Sequence, residues 1–286
     1  MSQAAKFRTM LKSGKMIVAP GAIDCITGRL IDQAGFEAAY MTGAGTSATL
    51  GYPDYGLITM TEMVANASRI ANSISIPLIS DADTGYGNEL NMFRTVQEFE
   101  RAGVAAIHVE DQVFPKKCGH LDNKELVSRE DFIAKIRAAS AARKSKEFCV
   151  IARTDSRAVA GLEEAIERAN LALANGADVA FVEAPQTEDE LAEVPRRVEG
   201  PCLLNVVAAG KTPDVSLQQA AELGYRLAIV PVLLLAAVVA ASDAALAGLD
   251  ATGRHPDGVP VIGVAELFQR VGAQRWDDVR ARYDVD

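Results

Sequence analysis

Pro77-Leu-Ile-Ser-Asp-Ala-Asp-Thr-Gly-Tyr-Gly87 is a short apolar run that passes directly into two carboxylates and then into two glycines. Its apolar positions are consecutive rather than alternating, which suits a parallel strand covered on both faces, and the glycines mark a turn where that strand ends. Side chains two apart on a strand share a face, so Asp81 and Asp83 are expected to point the same way. Similar apolar runs recur along the chain: Met16 to Ala19, Ala38 to Met41, Pro77 to Ser80, Ala105 to Val109, Phe148 to Ala152, Val179 to Val182, Cys202 to Val207 and Leu227 to Val230. The intervening segments carry helical spacing, as in Phe132, Ile133, Ile136 and Ala139, or Ala165, Ile166, Ala169 and Leu173. Ala102-Gly103, Asn175-Gly176 and Leu223-Gly224 punctuate helix ends. Eight strand-helix alternations predict an α/β fold, a (β/α)8 TIM-type barrel. No linker, low-complexity tract or charge block interrupts it, so residues 1–286 read as one barrel domain with a C-terminal helical tail.

Active sites of such barrels lie at the C-terminal ends of the strands. The runs here end in Tyr40 and Thr42, Asp81 and Asp83, Glu110, Arg153 and Asp155, Glu183, and Asn205. Asp81, Asp83 and Glu110 are oxygen ligands read with no His or Cys beside them, a set suited to a hard cation such as Mg²⁺, with Mn²⁺ as a substitute. Lys116-Lys-Cys-Gly-His120 places a thiol between basic groups on a glycine-containing loop. Neighbouring cations lower a thiol's pKa, and the glycine lets the loop close, so Cys118 is a candidate proton donor. His108, between Ile107 and Val109, reads as a hydrogen-bonded core histidine. Cys25, Cys149 and Cys202 read as small buried hydrophobes.

Composition is that of a globular enzyme, with 49% hydrophobic and 23% charged residues. A net charge of -9 argues against nucleic acid or an anionic membrane as partner. Four well-separated cysteines without CxxC spacing suit reduced thiols and a cytoplasmic location. Phe7, Met10 and Leu11 among Lys6, Arg8 and Lys12 suggest an amphipathic first helix. The uncharged run Leu227 to Ala241 falls short of the roughly 20 residues of a membrane span and reads as a buried strand followed by a buried helix.

Three motifs make the chain resemble the isocitrate lyase and phosphoenolpyruvate mutase superfamily over nearly its whole length. They are Tyr40-Met-Thr-Gly-Ala-Gly45, Asp81-Ala-Asp-Thr-Gly-Tyr-Gly87 and Lys116-Lys-Cys-Gly-His120. The last matches the gating loop of the branch that cleaves carbon-carbon bonds, similar to enzymes acting on 2-methylisocitrate and 2,3-dimethylmalate. The resemblance implies direct metal binding by Asp83, with Asp81 and Glu110 acting through water. It implies that Thr42, Gly43 and Ala44 hold a substrate carboxylate, that Arg153 and Glu183 orient substrate oxygens, and that Asn205 contacts a carboxylate. Asp54 and Gly119 would lie beside the reacting group. Tyr40 or an Arg-polarised water would act as base, Cys118 as acid, and Lys117 and His120 would hold the enolate carboxylate. It also implies a homotetramer in which the eighth helix, Leu233 to Leu246, swaps between subunits.

The implied activity is Mg²⁺-dependent cleavage of a substituted 2-hydroxy di- or tricarboxylate, of alkylmalate or 2-methylisocitrate type, to a 2-keto acid and a second acid. The partner is therefore a small anionic carboxylate. Alternatives on the same machinery are oxaloacetate decarboxylation and a phosphonopyruvate-type carbon-phosphorus reaction. Two departures from the family pattern bear on the substrate: Ala208 stands where related lyases carry Glu, and Pro231-Val-Leu-Leu-Leu-Ala236 is apolar where methylisocitrate lyases carry Ser and Arg. A third carboxylate would lack a partner there, which favours an alkylmalate with its apolar arm against Leu233 or Leu234 and counts Pro231 and Leu233 among the expected substrate contacts.

Overall fold

Eight parallel strands close into a barrel in chain order: β1 (Ile17–Ala22), β2 (Ala39–Met41), β3 (Leu78–Asp81), β4 (Ala106–Glu110), β5 (Cys149–Thr154), β6 (Val179–Val182), β7 (Cys202–Asn205) and β8 (Leu227–Val230). The seam pairs Ile17 with Leu227 and Pro20 with Val230. All eight expected runs are strands, displaced by one to three residues at their ends. The computed structural model describes residues 1–119, 121 and 123–284. His120, named above as a catalytic candidate, lies outside the described residues. The chain divides into two compact units, Met1–Leu234 and Leu235–Asp286.

Strand periodicity sorts the side chains of the first unit into two cores. Ile79, Ala106, Ile151, Phe181, Leu203 and Ile229 fill the barrel interior. Leu78, Ile107, Val109 and Val150 face outward and pack with Met63, Ile70, Phe99, Phe132 and Ile136. Two residues beyond the interior apolar layer on the same face come Asp81, His108, Arg153, Glu183, Asn205 and Pro231, so an i, i+2 rule carries each strand from core to functional mouth. The opposite end is filled by the first helix, Gln3–Lys12. Its Phe7 is fully buried in the interior cluster, and Met10 and Leu11 pack against it.

Local chemistry starts and stops the outer helices where the pattern requires. Thr59 and Glu62 form a reciprocal capping box on Met60–Ser73, and the Ser128 side chain accepts from the Asp131 amide at the start of Arg129–Ala142. Gly224 terminates Leu217–Leu223 at φ +107, a conformation that costs a side chain-bearing residue.

The second unit contains most of the helix Leu233–Thr252, followed by Val264–Arg270 and Ala273–Tyr283. Leu233–Thr252 has 20 residues and a mean hydropathy of 1.8, enough by length and composition to cross a membrane. The uncharged run ends at Ala241, but the helix continues through Asp243 and Asp250, whose carboxylates oppose a hydrocarbon location. Leu233, Val238, Val239, Leu246 and Leu249 are exposed, so the burial expected for this helix is absent within the single chain.

Candidate active site

The strand ends converge on a small cavity of about 50 Å³. Tyr40, Thr42, Ala44, Asp54 and Asp81 line one side; Arg153, Glu183 and Asn205 another; Val207, Ile229, Pro231 and Val232 form an apolar wall; Lys116, Cys118 and Gly119 complete it. Most residues expected at the site therefore meet there.

The carboxylates approach one another by a route different from the one expected. β3 ends at Asp81, and Asp83 follows in the left-handed region at φ +47. Strand alternation therefore does not aim Asp83; the Asp81 carboxylate does, accepting the Asp83 amide at 2.9 Å through Oδ1. Asp81 Oδ2 accepts the Gly43 amide at 3.1 Å. That amide, expected to hold a substrate carboxylate, is thus engaged by protein. A Cβ on Gly43 would lie 2.5 Å from Asp81 Oδ2, so only glycine permits the approach. Thr42 caps the following helix by accepting from the Gly45 amide.

Lys116, unassigned by the sequence reading, is the buried lysine of the loop. Its Nζ lies 2.5 Å from Asp54 Oδ1 and 2.9 Å from Asp83 Oδ1. Burial pulls its pKa down, but Asp83, Glu110, Asp54 and Asp81 together hold it well above the usual lysine value. Lys117 is exposed and donates to the Asn123 carbonyl at 3.0 Å, which corrects its expected place at the substrate. Gln112 fixes this choice, gripping the Lys117 carbonyl at 2.8 Å and amide at 3.0 Å. Leu233 is likewise corrected: it is 55% exposed, and Pro231 and Val232 supply the apolar wall.

Burial, then Asp81, Glu110 and Asp54, push Asp83 up to about 7 against the pull of Lys116. Asp81 goes the other way, because His108, Lys116 and Arg153 outweigh its burial. Glu110 is buried, and neither of its carboxylate oxygens accepts a hydrogen bond. Arg153 Nη1 stands 3.3 Å away. Buried carboxylate oxygens without donors are costly, and they are the donor set a hard cation uses. Among the described residues no three His, Cys, Asp or Glu side chains form a set that would ligate an ion together. The orphaned Glu110 oxygens are the observation that suits a hard cation, one that takes one or two carboxylates directly and keeps its waters.

Arg153 organises the opposite wall. Its Nε donates to Asp155 Oδ2 at 2.9 Å and its Nη2 to Oδ1 at 3.1 Å. Nη2 stands 3.2 Å from Glu183, and the guanidinium lies 5.2 Å from the Phe181 ring centroid. Asn205 donates to Glu183 at 3.3 Å. His108, expected as a core residue, is fully buried but also connects site groups. Its Nδ1 is 3.0 Å from Tyr40 Oη, and its Nε2 is 3.4 Å from Asp81 Oδ1. Its position two before Glu110 was the available signal.

A closed barrel with carboxylates, an arginine and a loop thiol gathered at its C-terminal mouth has the layout of a (β/α)8 enzyme. The phosphoenolpyruvate phosphomutase family model matches residues 7–249, and the chain belongs to that family, in the phosphoenolpyruvate mutase/isocitrate lyase superfamily. It is 48% identical to 2,3-dimethylmalate lyase of Eubacterium barkeri over 81% of this chain and 80% of that one. It is 44% identical to 2-methylisocitrate lyase of Aeropyrum pernix over 87% and 80%. The structure of an oxaloacetate acetylhydrolase bound to the inhibitor 3,3-difluorooxalacetate superposes with a TM-score of 0.94 at 38% identity, covering 98% of this chain and 96% of that one. The chain is a carbon-carbon lyase of this superfamily.

Proposed function

We propose that the chain cleaves a substituted 2-hydroxy dicarboxylate of alkylmalate type, with Mg²⁺, to a 2-keto acid and a second carboxylic acid. The observation that carries this reading is the placement of Cys118 and Gly119 in the same small cavity as Arg153, Glu183 and Asn205, facing the Asp81 side and an apolar wall. Asp83 would hold Mg²⁺ directly, with Asp81 and Glu110 acting through water. When bound, Mg²⁺ supplies Lewis-acid withdrawal of charge from substrate oxygens. Mn²⁺ offers the same oxygen-ligand chemistry.

Arg153 and Glu183 orient the substrate's hydroxyl and carboxylate oxygens, and Asn205 and the Thr42 hydroxyl bind carboxylate. Burial, then Asp81, holds the Tyr40 phenol well above its usual pKa despite Arg153. A standing phenolate is therefore disfavoured; Tyr40, its Oη held 3.0 Å from His108 Nδ1, orients an Arg153-polarised water that takes the hydroxyl proton. Cys118 Sγ then protonates the carbon left by bond cleavage. The closed loop keeps water from that carbon, and Lys116 balances Asp54 and Asp83.

Val207, Ile229, Pro231 and Val232 receive the alkyl arm. A third carboxylate against that wall would be buried without a partner, which selects an alkylmalate over methylisocitrate. The subunits form a homotetramer, in which the apolar surface of Leu233–Thr252 is covered by a neighbour, and the enzyme works in the cytoplasm. Action on oxaloacetate is the second reading, favoured by the likeness to oxaloacetate acetylhydrolase.

The test is keto-acid release from alkylmalates, methylisocitrate, isocitrate and oxaloacetate, with and without Mg²⁺, alongside Cys118→Ser. Cleavage of an alkylmalate requiring Mg²⁺, with a loss of about 10²- to 10⁴-fold in Cys118→Ser, is expected. Turnover of oxaloacetate alone, indifferent to Cys118, would replace this reading with the second.

A further inference from the structure

The buried Arg153 guanidinium stands among three carboxylates and treats them unequally. Asp155, fully buried immediately after β5, receives a two-bond fork, Nε to Oδ2 at 2.9 Å and Nη2 to Oδ1 at 3.1 Å. Glu110 Oε2 lies 3.3 Å from Nη1, yet neither Glu110 oxygen accepts a hydrogen bond. His108 Nε2, 3.9 Å from the same oxygen, does not reach it either. A buried carboxylate oxygen without a donor is costly, so an arginine this close would be expected to turn onto it. A guanidinium is rigid and planar, however, and two bonds along one edge fix where its remaining N–H groups point. Asp155 is itself held in place: its amide donates to Asp111 Oδ1 at 2.8 Å, and Lys124 Nζ donates to its Oδ1 at 2.8 Å. Burial opposes its charge, but Arg153 and Lys124 keep its carboxyl well below the usual range. Asp155 does not line the cavity, so it acts there only through Arg153.

We infer that Asp155 is a positioning residue that holds Arg153 beside Glu110 without letting it bond there, which leaves the Glu110 oxygens to Mg²⁺ and its waters. This rests on the metal part of the proposed function. Without the fork, the guanidinium turns Nη1 onto Glu110 and neutralises a carboxylate that the cation needs. One residue outside the cavity thus sets both the direction in which Arg153 meets substrate oxygens and the availability of Glu110. A charge-assisted bond between Arg153 and Glu110 would compete with the cation by about ten- to a hundredfold.

The experiment is a calorimetric titration of Mg²⁺ into the full chain, comparing native, Asp155→Asn, Arg153→Gln and the double variant, with folding checked by circular dichroism. In Asp155→Asn the carboxamide oxygen stays with Lys124 while its nitrogen stands where Oδ2 received Nε, so the fork is broken without orphaning Lys124. The expected Kd for Mg²⁺ is weaker by about tenfold or more in Asp155→Asn. In the Arg153→Gln background the same substitution should change Kd by about threefold or less, because the competitor is gone. A native Kd in Asp155→Asn would overturn the inference. So would an equal loss in both backgrounds, which would assign the effect to the Asp155 charge acting at a distance. Should Asp155→Asn not fold, Asp155→Glu decides in its place: the charge stays, the longer arm carries the fork out of register, weaker binding is expected, and a native Kd overturns the inference. A native chain that binds no Mg²⁺ would refute the metal reading itself and the inference with it, an outcome separate from any difference among the variants.

Discussion

Replacing Gly119 by alanine tests how closely the loop must approach the arginine. Gly119 has no positive φ, so the demand is for space. A Cβ there would lie 2.2 Å from Arg153 Nη2 and 2.7 Å from Glu183 Cγ, whereas real Cβ atoms essentially never come within 3.0 Å. Arg153 cannot yield cheaply, because both bonds to Asp155, the Glu110 and Glu183 contacts and the Phe181 ring fix it. The loop must then retreat by about 1 Å, and a misplacement of that size costs about 10²-fold in rate. That factor corresponds to about 2.7 kcal/mol in the barrier. Initial rates of keto-acid release should fall accordingly, mostly in kcat, while the unfolding midpoint moves little. Gly263→Ala, with nothing within 4 Å of its Cβ, should match the native rate. A Gly119→Ala enzyme within threefold of native, with an unmoved midpoint, would refute the reasoning.

Other consequences are as concrete. Burial pushes the Cys149 and Cys202 thiols up to about 12, so only about 10⁻⁴ of each is thiolate at pH 8; both should resist iodoacetamide until guanidinium unfolds the chain, and labelling in the native state would contradict their burial. Phe7→Ala should cost about 3–5 kcal/mol, read as a lower denaturant midpoint, while the rate per folded molecule is kept because Phe7 fills the end remote from the site. Mg²⁺ at a hundred times its Kd should stabilise the chain by about 2.7 kcal/mol, an effect that Asp83→Asn should abolish; a midpoint indifferent to both Mg²⁺ and EDTA would remove the metal from the carboxylate set.

Much of this architecture is legible in the chain because buried parallel strands leave continuous apolar runs, and because their interior rows end in polar groups. Tyr40, Asp81, Glu110, Arg153, Glu183 and Asn205 follow from that rule. Loop residues obey no such period. Which of Lys116 and Lys117 turns inward depends on the grip of Gln112 on the Lys117 backbone, a contact that spacing does not announce. Lys124, whose buried ammonium donates to the Gly119 carbonyl and to Asp155 Oδ1, carries no signal at all, since those groups meet it only through the loop's path. Strand periodicity points Asp83 into the cluster, but the strand stops at Asp81 and the grip of the Asp81 carboxylate on the Asp83 amide places it there instead. His108 was readable: it shares the inward row with Ala106 and Glu110, and a polar side chain in that row belongs to the mouth rather than the wall.

The alternating rows of the barrel carry an implication for how such a protein can be altered. Each functional side chain is committed to the interior by parity alone, so removing or adding one residue within β5 would send Arg153 outward and present Ala152 or Thr154 to the cavity. Length is therefore quantised in the strands, where only changes of two keep the chemistry facing inward. Insertions between strands face no such arithmetic, which leaves the connecting loops as the places where substrate preference can drift while the catalytic ring stays in phase.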